Sequence, residues 1–323
     1  MSTAELRVAV AGAGAYAAQH LRTLTALPDS RVVLLVEPSA ERAAKASAEH
    51  GVPQTVSDLS SALVRDDVDA IVLATPSPQH VEQALAVLRA GKHVLVEVPL
   101  ALELAGARAV AEAQRETGQV AMVGHVRRFN ASHAWMLRRL RLGELTLQHL
   151  VVQTLFMRRD NTNAAGEPRD WTDHLLWHHA AHTVDLFAVA LDEPVEVCGA
   201  IAGPLHPALG IATEMSLQLR SESGVLCTVA LSFDHDGPWG STFRYICDRG
   251  TYVASYDALV DGHGELVDLL GARDGIEAQD AEFVAASLAG RPCRSSATDV
   301  LGAYELLDQA ERMMRGRCAT TST

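Results

Sequence analysis

Arg7-Val8-Ala9-Val10-Ala11, followed at once by Gly12-Ala13-Gly14-Ala15-Tyr16-Ala17, is the stretch whose reading decides the fold. Its first part is apolar and short enough for a buried strand, and its second spells GxGxxA where a helix should open. Glycines at such a point permit a tight turn and let backbone approach a pyrophosphate, which then rests at the positive end of the helix. The motif alone is weak, and a glycine turn without a ligand is the bland alternative. Glu37 adds weight, because it follows the next apolar run, Arg31 to Val36, at about the twenty-residue spacing where a carboxylate meets adenosine ribose hydroxyls. Cofactor contacts are therefore expected at Gly12, Gly14, Ala15, Tyr16 and Glu37. A carboxylate there repels a 2′-phosphate, so NAD is favoured, with NADP kept open by Arg42 a helical turn further on.

Outward from this stretch, short apolar runs alternate with alanine-rich helical ones. Strands are expected over 70–74, 93–97 and 120–123, with helices over 15–27, 40–49, 79–90 and 104–117. That rhythm means βαβ units and a doubly wound parallel sheet, a Rossmann domain over 1–124. Two loops follow strands at the carboxyl edge, where open α/β sheets bind ligands. Thr75, Pro76 and His80 stand in one, and Glu97 and Pro99 in the other. All five are expected near the cofactor, the alternative for His80 being a solvent-facing residue on a capped turn.

After Gly124 the rhythm changes to longer, alternating strands, expected over 146–156, 196–202, 214–221, 225–233, 242–248 and 251–256. Helices over 173–191, 279–289 and 298–315 complete an α+β domain, 125–323, on a large, mostly antiparallel open sheet. A sheet face that is apolar where it should be exposed points to a homodimer or homotetramer.

With 323 residues, 48% hydrophobic and 21% charged, the chain has the balance of a two-domain cytoplasmic protein. A net charge of −13 argues against nucleic acid, and no apolar run is long enough for a membrane helix. Five scattered cysteines form no CxxC pair, so they are expected to be reduced and mostly buried.

The glycine loop, Thr75-Pro76-x-x-x-His80, Glu97-x-Pro99 and His182-x-x-Asp185 occur in the order and spacing of the Gfo/Idh/MocA oxidoreductases, which the chain resembles over nearly its whole length. The resemblance implies hydride transfer with NAD or NADP and a histidine base at His182. Two departures matter. Val98 stands where the family usually has a proton-transferring lysine, and His178 where it has an aspartate four residues before the histidine. The runs Gly124-His125-Val126-Arg127-Arg128-Phe129-Asn130 and Trp171-Thr172-Asp173-His174 are similar to a lysine-lacking group within the family that oxidises a carboxylated cyclic hemiacetal. That likeness implies a small carboxylated substrate rather than a sugar or inositol.

From Asp173 to Asp185 the chain carries four histidines and two aspartates. His174, His178 and His182 are spaced by four, so they should share one helical face. Three readings compete: a general base near neutral pH, a zinc site, or ordinary structural residues. No further ligand set is evident, so no metal is expected. His182 is expected as the base, with His178 as relay or alternate and Asp173 orienting one of them. His179, about 100° around the helix, is expected to be structural or to line the substrate. A carboxylated substrate calls for guanidinium groups, and Arg128, Arg169 and Arg244 are the candidates, with Trp171 beside them. Oxidation of a different carboxylated cyclic alcohol or of a sugar, or a role as a non-catalytic dinucleotide-binding regulator, are the alternatives.

Overall fold

A computed structural model of the chain describes residues 5–162, 166, 168–169, 171–269, 271 and 273–320, with the backbone alone for 317–320. It divides into two units, Met1–Val126 with Ile276–Leu301, and Arg127–Gly275 with Gly302–Thr323.

In the first unit, β1 (Leu6–Ala11), β2 (Ser30–Val36), β3 (Thr55–Val56), β4 (Ala70–Leu73), β5 (His93–Val96) and β6 (Ala121–Val123) alternate with α1 (Ala15–Ala26), α2 (Ala40–His50), α3 (Leu59–Leu63), α4 (His80–Arg89) and α5 (Leu104–Thr117). All strand pairs are parallel, in the order β3-β2-β1-β4-β5-β6. The order reverses between β1 and β4, which is where a dinucleotide crevice forms at the carboxyl ends of the strands. Val8, Val10, Ile71, Val72, Val94 and Leu95 are buried, as strands sandwiched between helix layers require. Within this unit β3 and α3 were not expected from sequence, both being too short to show a period.

The boundary expected at 124/125 needs correction. The break falls after Val126, and Ile276–Leu301 returns to the first unit. That segment contains most of α8 (Gly275–Ala289). Beyond the helix, Val123 N donates to the Ser295 carbonyl at 2.8 Å, and Ser295 Oγ donates to the Val123 carbonyl at 2.6 Å. A segment used as an edge cover carries no local signal of which domain it covers.

The second unit holds α6 (Ala131–Arg141), β7 (Leu147–Leu155), a π-helical turn at Leu175–Ala180, α7 (Ala181–Leu191), β8 (Val195–Ala202), β9 (Glu214–Ser221), β10 (Leu226–Ser232), β11 (Gly240–Cys247), β12 (Gly250–Ser255), β13 (Ala258–Asp261) and α9 (Leu301–Thr320). Its sheet runs β13-β12-β11-β7-β10-β9-β8, antiparallel except for the parallel pair β7 and β10. On the covered face, His133 of α6 meets Phe243 edge-on at 4.6 Å and lies 2.8 Å from the Tyr245 hydroxyl. On the other face the strands expose Ile201 and Leu226. Trp177 is buried in the π turn, stacked near Tyr304 of α9 at 6.1 Å, and donates to Glu311 at 3.2 Å.

Cys198 is exposed, while Cys227, Cys247 and Cys293 are buried, and all four are free thiols; the Cys318 side chain lies outside the described residues. Among the described residues, no helix is long and apolar enough to cross a membrane.

Candidate active site

In the first unit, a candidate dinucleotide site is built on the turn between β1 and α1. Gly12 has φ +103, and a β-carbon there would lie 2.4 Å from the Ala74 carbonyl oxygen, so only glycine fits. Gly14 is the opposite case: nothing lies within 4 Å of where its β-carbon would stand. That space is what a pyrophosphate needs for close approach. Gly14 also caps α1 with no side chain, which leaves the first N–H groups of the helix, from Ala15 and Tyr16 onward, for an anion. Tyr16 is exposed beside them. The turn therefore fits a dinucleotide.

Glu37 is buried at the end of β2. Its Oε1 accepts from Ser39 N at 2.9 Å and from Arg42 Nη2 at 2.8 Å. Arg42, half exposed, is thus held by the very carboxylate that disfavours a 2′-phosphate. Replacing Glu37 by alanine removes the repulsion and releases the guanidinium. We expect the NADP/NAD ratio of kcat/KM to rise about tenfold or more in Glu37→Ala, measured by steady-state kinetics with each cofactor. An unchanged ratio would remove Glu37 from the ribose site.

The two edge loops differ from expectation. His80 is neither exposed nor aimed at a ligand. It is buried, with Nδ1 2.7 Å from the Pro99 carbonyl and Nε2 2.8 Å from the Thr75 carbonyl. Its place as a cofactor contact is corrected: it ties one loop to the other. Pro99, which follows a cis peptide bond, is likewise buried and contributes its carbonyl to that tie. Thr75 is half-buried and donates from Oγ1 to Gln83 at 2.5 Å, and Pro76 is half-buried beside it.

Glu97 is held in place. Oε1 lies 3.0 Å from His20 Nε2 and accepts from Gln279 Nε2 at 3.4 Å. A β-carbon on Gly124 would come within 2.5 Å of that oxygen, so the glycine makes room for the carboxylate. His20, fully buried, turns its other nitrogen to Asp280 at 2.8 Å. Burial alone would lower the His20 pKa, but the charges and hydrogen bonds of Asp280 and Glu97 outweigh it and raise the group from 6.5 to about 10. A folded-state pKa above the unfolded one stabilises the fold fully below 6.5, and that gain is lost as pH rises through about 10. The wild-type melting temperature should therefore fall over this interval. The gap between wild type and His20→Gln should narrow with it; a constant gap would mean that His20 does not carry the proton.

In the second unit, a cluster of charged and aromatic side chains gathers around Asp173, just before the π turn. Arg158 Nη2 donates to Asp173 Oδ2 at 2.6 Å, and Arg169 Nη2 reaches the same oxygen at 3.5 Å. His178 Nδ1 lies 3.6 Å from Asp173 Oδ1. Burial raises the Asp173 carboxyl, but His178, Arg158, Arg169 and His179 together hold it below the usual value. Among the described residues, Arg158 Nη1 and Arg169 Nε are buried donors that meet no hydrogen-bond acceptor. Such donors cost free energy unless an anion or water meets them. Trp171 lies 4.5 Å from the Arg169 guanidinium, and Phe233 lies 5.3 Å from that of Arg158.

The π turn changes the angular bookkeeping of the histidines. His179 does not point away from His178: their rings stack at 4.7 Å and 26°. The wider turn narrows the angle between successive residues, which the α-helical spacing could not foresee. His179 also sits between Phe156 at 5.3 Å and Phe233 at 5.1 Å, and burial, then His178, push its pKa well down. His182, half-buried in the first turn of α7, has its ring 6.4 Å from that of His178. His174 leaves the shared face. It caps the π turn, with Nδ1 accepting from Leu176 N at 3.1 Å. Among the described residues, no group of three or more His, Cys, Asp or Glu side chains is arranged to hold a metal ion.

Two of the arginine expectations are corrected. Arg128 forms a buried two-pronged pair with Asp185, Nε to Oδ2 at 2.7 Å and Nη2 to Oδ1 at 2.5 Å, so its charge is spent inside the fold. Arg244 is exposed on β11, between Phe243 and Tyr245, which face α6; strand alternation puts it on the other side of the sheet. Arg158, not singled out from sequence, is the guanidinium that lies beside Arg169 on Asp173. The doubled Arg158-Arg159 was visible, but nothing local set it apart from other paired arginines. Glu167 and Asp170, in the same loop, lie outside the described residues.

The chain is 52% identical over 309 residues, 95% of its own length and 98% of the relative's, to the 4-carboxy-2-hydroxymuconate-6-semialdehyde dehydrogenase of Sphingobium sp. (strain NBRC 103272 / SYK-6). Residues 6–125 match the family described as "Oxidoreductase family, NAD-binding Rossmann fold", and residues 131–272 match "Bacterial oxidoreductases, C-terminal". The chain belongs to the Gfo/Idh/MocA oxidoreductases. It is thus an NAD-binding dehydrogenase of that family, as the motif order had implied. An inositol 2-dehydrogenase of Mycolicibacterium smegmatis is 34% identical over 78% of the chain and 73% of that relative. Among solved structures, levoglucosan dehydrogenase in complex with NADH and levoglucosan has the same fold, with a TM-score of 0.83 at 20% identity over 97% of this chain and 98% of that one.

Proposed function

We propose that this Gfo/Idh/MocA dehydrogenase oxidises the cyclic hemiacetal of 4-carboxy-2-hydroxymuconate-6-semialdehyde to the lactone 2-pyrone-4,6-dicarboxylate, a step of aromatic catabolism. The observation that carries this reading is the 52% identity, along almost the full length of both chains, to a dehydrogenase named for that semialdehyde. The two buried arginine donors beside Asp173 support it, since a substrate with carboxylates supplies the acceptors they lack. Val98 in the position of the family lysine speaks in the same direction, away from inositol or sugar oxidation.

In the proposed reaction His182 removes the hemiacetal hydroxyl proton while the hydrogen on the same carbon departs as hydride, leaving a carbon–oxygen double bond. NAD, when bound on the Gly12–Gly14 turn with its adenosine ribose on Glu37, supplies the hydride acceptor. Asp173 holds His178, and His178 stands beside His182 as relay. Arg158 and Arg169 take a substrate carboxylate, with Trp171 and His179 shaping the rest of the pocket. Hemiacetal oxidation forms no covalent enzyme intermediate, so no cysteine nucleophile is required.

The test is reduction of NAD+ and NADP+ by freshly generated ring-cleavage product, followed by absorbance and by recovery of the lactone. Turnover of inositol or aldoses without turnover of that product would overturn the substrate. NAD binding with no turnover on any candidate would favour a regulator, which the retained His182 argues against. We place the enzyme in the cytoplasm, as a homodimer or homotetramer joined through the sheet face that exposes Ile201 and Leu226.

A further inference from the structure

His20, Asp280 and Glu97 make a buried carboxylate–imidazole–carboxylate row that proton abstraction does not use. Both nitrogens of His20 meet carboxylates, Asp280 at 2.8 Å and Glu97 at 3.0 Å, and both His20 and Asp280 are fully buried. A neutral imidazole has a single N–H and leaves one of two such contacts without a proton; an imidazolium serves both. Buried charges persist only when paired in this way. The row links three separate elements of the first unit: α1, which opens at the glycine turn, the loop after β5, and α8.

The Glu97 carboxylate is asymmetric. Oε1 is occupied by His20 and by Gln279, in space that Gly124 provides by carrying no β-carbon. Among the described residues Oε2 has no hydrogen-bond partner, and it is not a fully buried atom, so the 13% exposure of this side chain is found there. Burial works against ionisation of Glu97, yet the His20 hydrogen bond and charge, followed by Gln279, hold its pKa below the usual value. The exposed oxygen is thus an acceptor fixed in direction and kept charged.

Strand order says what it faces. With β3-β2-β1-β4-β5-β6 and neighbours about 4.8 Å apart, the loop after β5 lies about 10 Å from β1 on the side away from β2. A dinucleotide whose pyrophosphate rests after β1 and whose adenosine ribose meets Glu37 after β2 sends its other half toward β5. We propose that His20, backed by Asp280, is a positioning residue for the nicotinamide riboside half of the cofactor: it fixes Glu97 Oε1 so that Oε2 accepts a hydrogen bond from an N–H or O–H donor on that half. The proposal rests on the dinucleotide reading of the first unit.

The test compares NAD+ with ADP, which lacks the nicotinamide riboside, by titration calorimetry on the full chain. His20→Gln, Asp280→Asn and Glu97→Gln should each weaken NAD+ about tenfold and leave ADP affinity unchanged, as expected for a charged hydrogen bond made by one half only. Adding His20→Gln to Glu97→Gln should cost nothing further, because the two act through one oxygen. In wild type, nitrogen NMR of His20 should show both ring nitrogens protonated well above neutral pH. Equal weakening of ADP and NAD+ would mean a disturbed helix and overturn the positioning role, as would full NAD+ affinity in the variants. Wild-type protein that binds neither ligand would instead sink the dinucleotide reading itself.

Discussion

Replacing His182 by alanine is expected to leave NAD affinity intact and to reduce turnover by about 10²–10⁴-fold, the usual worth of a positioned general base. The physical case is the side chain's setting. His182 is half-buried at the start of α7, with the ring of His178 at 6.4 Å and the Asp173 carboxylate beyond it, 3.6 Å from His178 Nδ1. A base needs both access to substrate and a defined orientation; in the proposed reaction the partly exposed His182 provides the first and its neighbours the second. His178→Ala should therefore lower turnover less than His182→Ala, since it removes a partner of the base rather than the base. Calorimetric titration with NAD+ alongside pre-steady-state hydride transfer separates the two effects. Wild-type-like rates in His182→Ala would reject the assignment, and a reversed ranking would move the base to His178.

Breaking the Arg128–Asp185 pair should have the largest effect on stability. Both side chains are almost wholly buried, at 8% and 1% exposure, and they meet through two parallel hydrogen bonds. Removing one partner leaves an uncompensated charge in a low-dielectric interior, and Asp185→Ala should cost about 3–5 kcal/mol. Replacing both together, as Arg128→Met with Asp185→Leu, should recover much of that loss, because the desolvation penalty of both ions disappears. Urea unfolding of the two variants measures the difference. A loss in Asp185→Ala of under about 1 kcal/mol, the range of an exposed pair, would contradict the burial. The pair also bears on the proposed site: Asp185 stands on α7 three residues after His182, so its tether to Arg128 anchors the helix that carries His182.

The expectations that held were of a particular kind. The βαβ rhythm, the glycine-rich turn between β1 and α1 and the change to long strands after Gly124 all rest on neighbours within a few residues, and period and turn chemistry are local properties. The misjudged residues were those whose partners are far away in sequence. His80 was expected at the cofactor, but the carbonyl of Pro99, 19 residues on, and that of nearby Thr75 meet its two nitrogens. Arg128 looked available until Asp185, 57 residues on, took it. Arg244 lay on a strand whose facing is set by which side α6 covers.

From its residues alone, the chain determined a dinucleotide-binding half, a histidine-rich helix and membership of an oxidoreductase family, because short-range steric and periodic constraints write themselves directly into sequence. Tertiary structure alone decided which charges remain available for a ligand. It spent Arg128 on Asp185, left donors of Arg158 and Arg169 without acceptors, stacked His179 on His178 through a π turn, and brought Asp280 across 260 positions to His20. The reason is electrostatic: a charge cannot stay buried without a counter-charge, and which counter-charge reaches it depends on the packing of distant elements.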